Sequence, residues 1–387
     1  MRILLLSAYD AQSHKYWREA LVDEFPEHHW TQLVLPGRYF SWRIRGNSMQ
    51  WALGAKATLD QPYDLVLATS MVDLASLKGF VANLANIPSI LYFHENQFIY
   101  PANQSNKTRQ LDPKMVTLYG ALSADKLVFN SQYNQQSFIA GVDELLNQLP
   151  EKMPIDVAQL LDKKSSVLPV PLKTLYPLDP RNPSNIANNG NTEHQSLWPK
   201  REGRSSLRLI WAARWEYDKG PQQLQAILRQ LRNRNIDFKL CLVGQQFRQQ
   251  PIEFEEIKKE FSTYLVQFGY VESRQQYLNW LAGGDMILST ALHEFQGISV
   301  LEAVQLGCIP VLPNRLVYPE MFSLDYLYES APQEHKKESV AAVNLIQKMA
   351  LKIDQDIASI PFVEHLLWPN MKEQYKHLLD FKAPNRP

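Results

Sequence analysis

Short apolar runs alternate with amphipathic segments through the first part of the chain. Between the runs, apolar residues recur at helical spacing, as from Tyr16 to Phe25 and from Leu74 to Ala85. Strands that alternate with helices predict a parallel sheet with helices on both faces. The predicted strands are RILLLSA (2–8), DLVLATS (64–70), SILYFH (89–94), KLVFNS (126–131) and SSVLPVPL (165–172).

The same rhythm returns after residue 206. Helical spacing separates five further apolar runs, and the tail from Pro361 to Phe381 is helical in pattern with no strand after it. We therefore predict an α/β protein with two facing, doubly wound, Rossmann-like domains and a C-terminal helix that crosses back to the first. The predicted strands are 207–213, 238–244, 264–270, 285–290 and 308–313, with helices at 221–234, 253–261, 273–282 and 298–306.

Composition separates the two halves. Residues 177–206 are rich in Pro, Asn, Ser and Gly and poor in apolar residues, which is typical of a flexible linker. The predicted organisation is an N-terminal domain at 1–176, this linker, a C-terminal domain at 207–360 and a helical tail at 361–387 that packs on the N-terminal domain.

Composition also limits the function classes. The 387 residues are 45% apolar, enough for two cores, and the formal net charge is zero, so any RNA must be held by a local basic patch. Cys241 and Cys308 lie in apolar runs and predict buried thiols, not a disulfide or a zinc site. The opening MRILLLSAYD predicts a strand, and no run is long enough to span a membrane. We therefore expect a cytoplasmic protein without membrane contact.

Two glutamates flank a glycine in HEFQGISVLEAVQLG (293–307). Glu294 falls in a strand-to-helix loop, Gly297 near the helix start, and Glu302 about 6–8 Å further along the helix at 1.5 Å per residue. The first helical amide groups suit a diphosphate, and carboxylates on either side accept hydrogen bonds from diols. The alternative is an acidic first turn that complements the helix dipole, with an exposed acid in the loop.

A second charged motif, AARWEYDKGP (212–221), follows a strand and precedes a helix. Arg214 and Lys219 lie five residues apart at the carboxyl end of that strand, where they can neutralise a leaving pyrophosphate without a metal. The alternative is an ordinary charged loop.

Polar residues also follow two strands of the first half. YFHENQFIYP (92–101) contains His94, whose near-neutral imidazole can hydrogen bond a sugar hydroxyl or share a proton. Ser13 and His14 follow the first strand and could instead cap the next helix. A satisfied core histidine is the alternative for His94.

Arginines and aromatic residues are interleaved in LPGRYFSWRIRGNSMQW (35–51), which contains no acid. Arginines can hold phosphates while aromatic rings stack on bases, so this segment is a candidate RNA contact. The alternative is a folded insertion with buried aromatics and solvated arginines. The residues concerned are Arg38, Arg43, Arg45, Tyr39, Phe40, Trp42 and Trp51, followed further on by Lys107, Arg109 and Lys114.

The segment with Glu294 and Glu302 resembles the E-x7-E signature of retaining glycosyltransferases of family 4, which have the GT-B fold. Together with SHKYW, LPGRYFSWRIRG, FHENQFIYP, FNSQYN and RWEYDKGP, the chain resembles the tRNA-queuosine alpha-mannosyltransferases. The resemblance implies that mannose moves from GDP-mannose to the cyclopentenediol of queuosine at the anticodon wobble position, with retention at the anomeric carbon. It implies no cofactor besides the nucleotide sugar and no metal. Ala11 and Gln12 depart from the glycine pair that many glycosyltransferases have after the first strand.

The resemblance also assigns roles to residues. The implied catalytic residues are His94, Glu294, Arg214 and Lys219. The implied donor site consists of Arg214, Lys219, Gly244, Tyr270, Val271, Glu294, Phe295, Gln296, Gly297, Ile298, Ser299 and Glu302, with Glu294 on the sugar and Glu302 on the ribose. The implied acceptor site consists of Ser13, His14, Arg38, Trp42, Arg43, Arg45, Glu95, Asn96, Lys107 and Arg109.

Other functions fit parts of the pattern. One is a glycosyltransferase of the same fold that acts on a lipid, a glycan or a small molecule, and another is a non-catalytic RNA-binding protein on this scaffold. A dinucleotide-dependent dehydrogenase is disfavoured because no G-x-G-x-x-G follows the first strand. The donor base, the choice between mannose and galactose, and the oligomeric state stay open at this point.

Overall fold

The computed structural model describes residues 1–99, 111–175, 197–201, 206–247 and 250–383. The chain divides into an N-terminal unit, Met1–Lys173 with Leu366–Pro387, and a C-terminal unit, Thr174–His365. Each unit is built on a six-stranded parallel sheet, which confirms the predicted α/β class.

The sheet of the N-terminal unit has its two most buried strands at its centre. These strands, LVLAT and SILYF, are buried along their whole length because helices cover both faces of a parallel sheet. The strands are β1 (Arg2–Asp10), β2 (His29–Pro36), β3 (Leu65–Thr69), β4 (Ser89–Phe93), β5 (Lys126–Phe129) and β6 (Ser165–Val167), in the order β2-β1-β3-β4-β5-β6. The helices are α1 (Gln12–Glu24), α2 (Phe40–Gly54), α3 (Lys56–Leu59), α4 (Leu74–Phe80), α5 (Ala82–Ala85), α6 (Leu111–Ser123), α7 (Gln132–Asn147) and α8 (Val157–Lys163).

The C-terminal unit repeats this design. Its strands are β7 (Leu207–Ala212), β8 (Phe238–Val243), β9 (Leu265–Gly269), β10 (Met286–Leu288), β11 (Ile309–Pro313) and β12 (Leu327–Tyr328), in the order β12-β11-β10-β7-β8-β9. Its helices are α9 (Pro221–Asn233), α10 (Ile252–Glu260), α11 (Arg274–Ala282), α12 (Ile298–Gln305), α13 (Tyr318–Met321) and α14 (His335–Asp354). Short 3-10 turns occupy Tyr217–Lys219, Leu324–Tyr326 and Glu364–Leu366.

The last helix, α15 (Trp368–Leu379), belongs to the N-terminal unit. The Tyr375 hydroxyl accepts a hydrogen bond from Trp17 Nε1 at 3.1 Å, donates to the Pro169 carbonyl at 2.9 Å, and lies 3.1 Å from the Tyr92 hydroxyl. The predicted return of the C-terminal helix to the first unit is therefore confirmed.

One end of the predicted linker is folded. Trp198 is buried in the C-terminal unit, where its Nε1 donates to the Trp280 carbonyl at 2.9 Å and the Arg208 guanidinium lies 5.6 Å from its ring. The predicted linker, 177–206, therefore includes residues that belong to the folded C-terminal unit. The polar composition of this segment concealed the single buried tryptophan. Residues 176–196 and 202–205 lie outside the described residues.

Two further expectations concern the thiols and the membrane. Cys241 and Cys308 are both buried, as the apolar runs predict, and burial raises the pKa of each thiol. Across the described ranges, no helix combines the length and the apolar character that a membrane span requires.

Candidate active site

Lys219 lies in a charged cluster just after β7. Its ammonium donates to the His293 carbonyl at 2.6 Å and to Glu294 Oε2 at 3.3 Å, and it lies 3.4 Å from Asp218 Oδ2. Gly220 follows with φ 68°, and a Cβ there would lie 2.0 Å from the Thr290 carbonyl oxygen. The glycine therefore lets this turn pack against the loop after β10 and holds Lys219 beside Glu294.

The buried ammonium of Lys219 remains charged because of its neighbours. Burial alone would lower the pKa of Lys219, but the carboxylates of Glu294 and Asp218 raise it above its ordinary value. Burial would likewise raise the pKa of Asp218, yet the Lys219 ammonium and the His293 ring lower it below the usual range. The cluster is thus a set of mutually stabilised charges.

Arg214 joins this cluster through two acids. Its guanidinium lies 2.9 Å from Glu216 Oε2 and 3.9 Å from Asp218 Oδ2. Arg214 and Lys219 thus share Asp218, which lies 3.9 Å from the first and 3.4 Å from the second, while Glu216 contacts Arg214. Glu216 and Asp218 were not predicted as site residues, although both stand between the two cations in the sequence RWEYDK.

Glu294 organises the loop that leads into α12. Its Oε1 accepts hydrogen bonds from the backbone N–H groups of Phe295, Gln296 and Gly297 at 3.1, 3.4 and 3.0 Å. Burial would raise the pKa of Glu294, but Lys219 and the Gly297 N–H lower it, so the group is a carboxylate. The amide of Gly297, the residue just before α12, is therefore bonded to Glu294 and not free for a diphosphate.

The residues around this loop line one cleft of the C-terminal unit. Ser299 Oγ donates to the Ala212 carbonyl at 2.8 Å, which ties the start of α12 to the end of β7. Cationic, anionic and hydroxyl groups thus face the same small space. Its lining consists of Trp211, Ala212, Ala213, Lys219, Leu288, Ser289, Ala291, Glu294, Ser299, Val300 and Tyr318.

Glu302 is paired with an arginine that the sequence analysis did not identify. The carboxylate, only 4% exposed, receives a bidentate contact from the Arg274 guanidinium: Nη1 donates to Oε2 at 3.0 Å and Nη2 donates to Oε1. Arg274 opens α11, is 51% exposed and lies 5.2 Å from the centre of the Tyr277 ring. Arg274 thus covers the carboxylate that the resemblance assigns to a ribose.

The remaining predicted donor residues lie at the carboxyl ends of strands or beside the Glu294 loop. A Cβ on Gly244 would lie 1.6 Å from the Ala213 carbonyl oxygen, so only glycine lets the segment after β8 approach the segment after β7 so closely. Tyr270 is exposed and Val271 half-buried after β9. Phe295 packs edge-on against His293, and Ile298, the first residue of α12, is half-buried.

In the N-terminal unit, His94 follows β4 within a buried aromatic cluster. Its ring centre lies 4.2 Å from that of His14, 4.8 Å from Tyr92 and 4.9 Å from Trp17. Burial, and then the neighbouring His14, lower the pKa of His94 well below its ordinary value. Within the described part of the chain, neither ring nitrogen of His94 has a hydrogen-bond partner. The imidazole is therefore neutral and able to bond a ligand hydroxyl.

Other predicted residues near His94 have structural contacts. The cap of α1 is Ala11, without a side-chain hydrogen bond, so the interpretation of Ser13 and His14 as caps is wrong. Asn96 is buried and donates to the Asn134 side-chain oxygen at 2.9 Å, which holds its loop on α7. The Glu95 carbonyl accepts from Ser70 Oγ at 3.2 Å.

The arginine and aromatic segment forms the start of α2. Arg38, Trp42 and Arg45 are exposed. Arg43 is half-buried and donates to Gln50 Oε1 at 2.7 Å, so its guanidinium is held along the helix. Arg45 lies 3.8 Å from Asp112. Lys107 and Arg109 lie outside the described residues. No group of three or more His, Cys, Asp or Glu side chains within the described ranges has the arrangement of a metal site.

Comparison with known families covers both units. Residues 2–172 match the model of the tRNA-queuosine alpha-mannosyltransferase N-terminal domain, and residues 198–355 match that of glycosyl transferases group 1. A tRNA-queuosine alpha-mannosyltransferase of Drosophila melanogaster is 34% identical over 336 residues, covering 87% of this chain and 85% of the relative.

Solved structures show the same fold. Sucrose-phosphate synthase from Thermosynechococcus elongatus aligns with a TM-score of 0.67 at 14% identity over 98% of this chain and 99% of that chain. HepE of Anabaena, in complex with UDP and glucose, aligns with a TM-score of 0.61 at 16% identity over the same shares. With the two sheets and the group 1 domain, these likenesses confirm the predicted GT-B fold.

Proposed function

Since the chain belongs to the tRNA-queuosine alpha-mannosyltransferase family, we propose that it transfers mannose from GDP-mannose to the cyclopentenediol of queuosine at the anticodon wobble position of a tRNA, with retention at the anomeric carbon. The observation that carries the proposal is the 34% identity that extends over 336 residues and through both units. The cation cluster of the C-terminal unit supports it, because an activated sugar leaves a diphosphate that must be stabilised.

Arg214 and Lys219 are the proposed partners of the donor diphosphate. Both follow β7, and the carboxyl ends of parallel strands are where ligands bind in such sheets. Lys219 donates to the His293 carbonyl and to Glu294 and lies 3.4 Å from Asp218, so a phosphate oxygen that binds here would share the ammonium with these groups. As the glycosidic bond breaks, the two cations take up the negative charge that develops on the leaving group.

We propose that the reaction needs no metal, since the two cations supply the charge that a divalent ion would otherwise provide. The Glu294 carboxylate, which its loop and Lys219 keep ionised, is the proposed partner of the mannose hydroxyls and of the positive charge on the sugar. The Glu302 pair with Arg274 is the proposed contact for the ribose of the nucleotide.

His94 is the proposed polar contact of the reacting sugar in the N-terminal unit. A buried imidazole with both nitrogens unsatisfied is unfavourable, so a ligand hydroxyl would stabilise it. In its neutral form one nitrogen donates and the other accepts, which suits a hydroxyl on either side of the ring. The acceptor, a tRNA that carries queuosine, would be held through the exposed start of α2.

Mass spectrometry of nucleosides tests the proposal. Purified protein is incubated with queuosine-containing tRNA and, in parallel, with GDP-mannose or UDP-galactose, with and without EDTA. We expect mannosyl-queuosine from GDP-mannose only, undiminished by EDTA, and no product on tRNA that lacks queuosine. Hexose transfer from UDP-galactose alone, or transfer that EDTA abolishes, would contradict the donor or the metal-free mechanism. Absence of any product on queuosine-containing tRNA would contradict the function itself.

A further inference from the structure

The indole ring of Trp42 lies flat on its own helix. A Cβ placed on Gly46, one turn further along α2, would lie 2.8 Å from Cε2 and 2.9 Å from Cζ2 of the indole. Only a hydrogen atom at position 46 therefore leaves room for the ring in this position. One face of the indole covers Gly46, which is buried, while the side chain as a whole remains 55% exposed. The opposite face is accessible to a flat partner.

The sequence of this segment is unfavourable for the helix that it forms. Glycine inside a helix is less stable than almost any other residue, because it loses the most backbone freedom. Tyr39, at the helix start, has φ 57° and ψ 51°, a left-handed conformation that a tyrosine rarely adopts. Local features that oppose stability concentrate at functional surfaces. Here both of them place an aromatic ring on the surface.

Cations flank the two rings. The Arg38 guanidinium lies 5.6 Å from the centre of the Tyr39 ring, and Tyr39 is 71% exposed. Arg45 follows Trp42 by three residues, which places both on the same side of the helix. The 3.8 Å pair of Arg45 with Asp112 is solvent-exposed on both sides, so it is weak and is screened by salt. The surface thus offers two aromatic faces beside positive charge.

We propose that Trp42 and Tyr39 are stacking platforms for unpaired nucleobases of the acceptor RNA, with Arg38 and Arg45 on the adjacent phosphates. This inference rests on the proposed function, since it takes a tRNA as the acceptor. Proteins recognise unpaired bases in loops by stacking them on aromatic side chains, whereas a base pair within a helix presents no free face. The ligand is therefore a single-stranded loop of the tRNA and not its double-helical stem.

Binding of queuosine-containing tRNA to the full chain tests the platform. Four variants are compared with the wild type: Trp42→Ala, Trp42→Phe, Gly46→Ala and, as a control, Leu53→Ala, which removes an 81% exposed side chain from the same helix. We expect Trp42→Ala to weaken tRNA binding about 10- to 100-fold. Trp42→Phe keeps most of the affinity, Gly46→Ala loses part of it by lifting the indole, and Leu53→Ala binds as the wild type does.

Salt dependence separates stacking from charge. We expect Arg45→Ala to reduce the slope of log Kd against log salt by about one, because one phosphate contact is lost. Trp42→Ala should leave the slope unchanged, because stacking releases no counterions. Affinity for GDP-mannose and the melting temperature, measured on the same samples, show whether each variant is folded.

Two results would overturn the platform: a folded Trp42→Ala protein that binds tRNA within twofold of the wild type, or a Trp42→Phe protein as weak as Trp42→Ala. Failure of the proposed function looks different. If the wild type binds tRNA through Trp42 but forms no mannosyl-queuosine, the platform stands and the reaction is wrong. If mannosyl transfer occurs and its KM for tRNA is the same in Trp42→Ala, the reaction stands and the platform is wrong.

Discussion

The imidazole ring of His14 lies 4.2 Å from that of His94, and both rings are buried in the N-terminal unit. The rings of Trp17 and Tyr92 also pack against His94. A proton on His94 would place an uncompensated positive charge in this aromatic cluster and beside another imidazole. Protonation of His94 at low pH should therefore destabilise the N-terminal unit.

The first prediction concerns pH. Burial and the nearby His14 lower the pKa of His94, whereas in the unfolded chain the group titrates near the ordinary value of 6.5. Below that pH the unfolded state binds more protons than the folded state. The free energy of unfolding therefore decreases as the pH is lowered below 6.5, by up to about 1.4 kcal/mol per pH unit. Urea denaturation between pH 5 and 8 measures this slope. His94→Gln should flatten it, and an equal slope in that variant would refute the assignment.

Arg214→Ala tests the charge that the diphosphate meets. We expect turnover of mannosyl transfer to fall about 10²- to 10³-fold, the scale of losing one placed group that stabilises developing charge. Arg234→Ala is the matched control, because this arginine lies away from the cluster and donates to the side-chain oxygens of Asn344 and Gln347. Steady-state kinetics on queuosine-containing tRNA provide the measurement. Full activity in Arg214→Ala would remove this residue from the mechanism.

Glu216→Gln tests a competition for Arg214. The Glu216 carboxylate lies 2.9 Å from the guanidinium and must yield to a phosphate that binds there. We therefore expect the variant to bind GDP more tightly, by about two- to fivefold, which corresponds to the modest strength of a partly exposed ion pair. Isothermal titration with GDP measures the change. Weaker binding in Glu216→Gln would mean that Glu216 positions Arg214 instead of competing for it.

Arg274→Ala tests the cover over Glu302. Its removal leaves a buried carboxylate without its bidentate partner, so we expect the free energy of unfolding to drop by about 1–3 kcal/mol. The double variant Arg274→Ala/Glu302→Gln should recover part of the loss. Arg229→Ala is the control, since Glu260 keeps Arg232 as a partner and the pair is more exposed. A loss in Arg274→Ala no larger than in Arg229→Ala would show that the pair contributes little.

Tyr375→Phe tests how α15 is attached. Without the hydroxyl, the buried Nε1 of Trp17 loses its acceptor, and we expect a destabilisation of about 1–3 kcal/mol. Tyr119→Phe removes an exposed hydroxyl from α6 and should change stability by less than about 0.5 kcal/mol. Chemical denaturation compares the two. Equal stability of both variants would show that the hydroxyl does not hold the helix.

Continuous apolar runs in the sequence predict many strands of the fold correctly. β7 was predicted at 207–213 and lies at Leu207–Ala212, because a central parallel strand must be apolar on both faces. β2 gave no such signal, since only Leu35 of its eight residues is buried at the edge of the sheet. α2 was equally hard to predict, because its polar and aromatic residues follow no clear apolar stripe.

The residues of the candidate site likewise differ in how far the sequence predicts them. Arg214, Lys219 and Glu294 could be predicted because each stands in a loop directly after a strand. The contact between Arg274 and Glu302 joins two helices across 28 residues of sequence, and no local spacing announces it. The Trp42 platform depends on Gly46, and the reason for this glycine is visible only in the three-dimensional position of the indole ring.

The return of α15 to the N-terminal unit fixes an order of events during synthesis. Residues up to Lys173 leave the ribosome early. Trp17 and Tyr92 can form their contacts with Tyr375 only later, because Tyr375 is translated after the entire C-terminal unit. The first part to emerge is therefore the last to be completed. A message truncated anywhere upstream of α15 would yield a nascent protein whose aromatic cluster stays open to water and to chaperones.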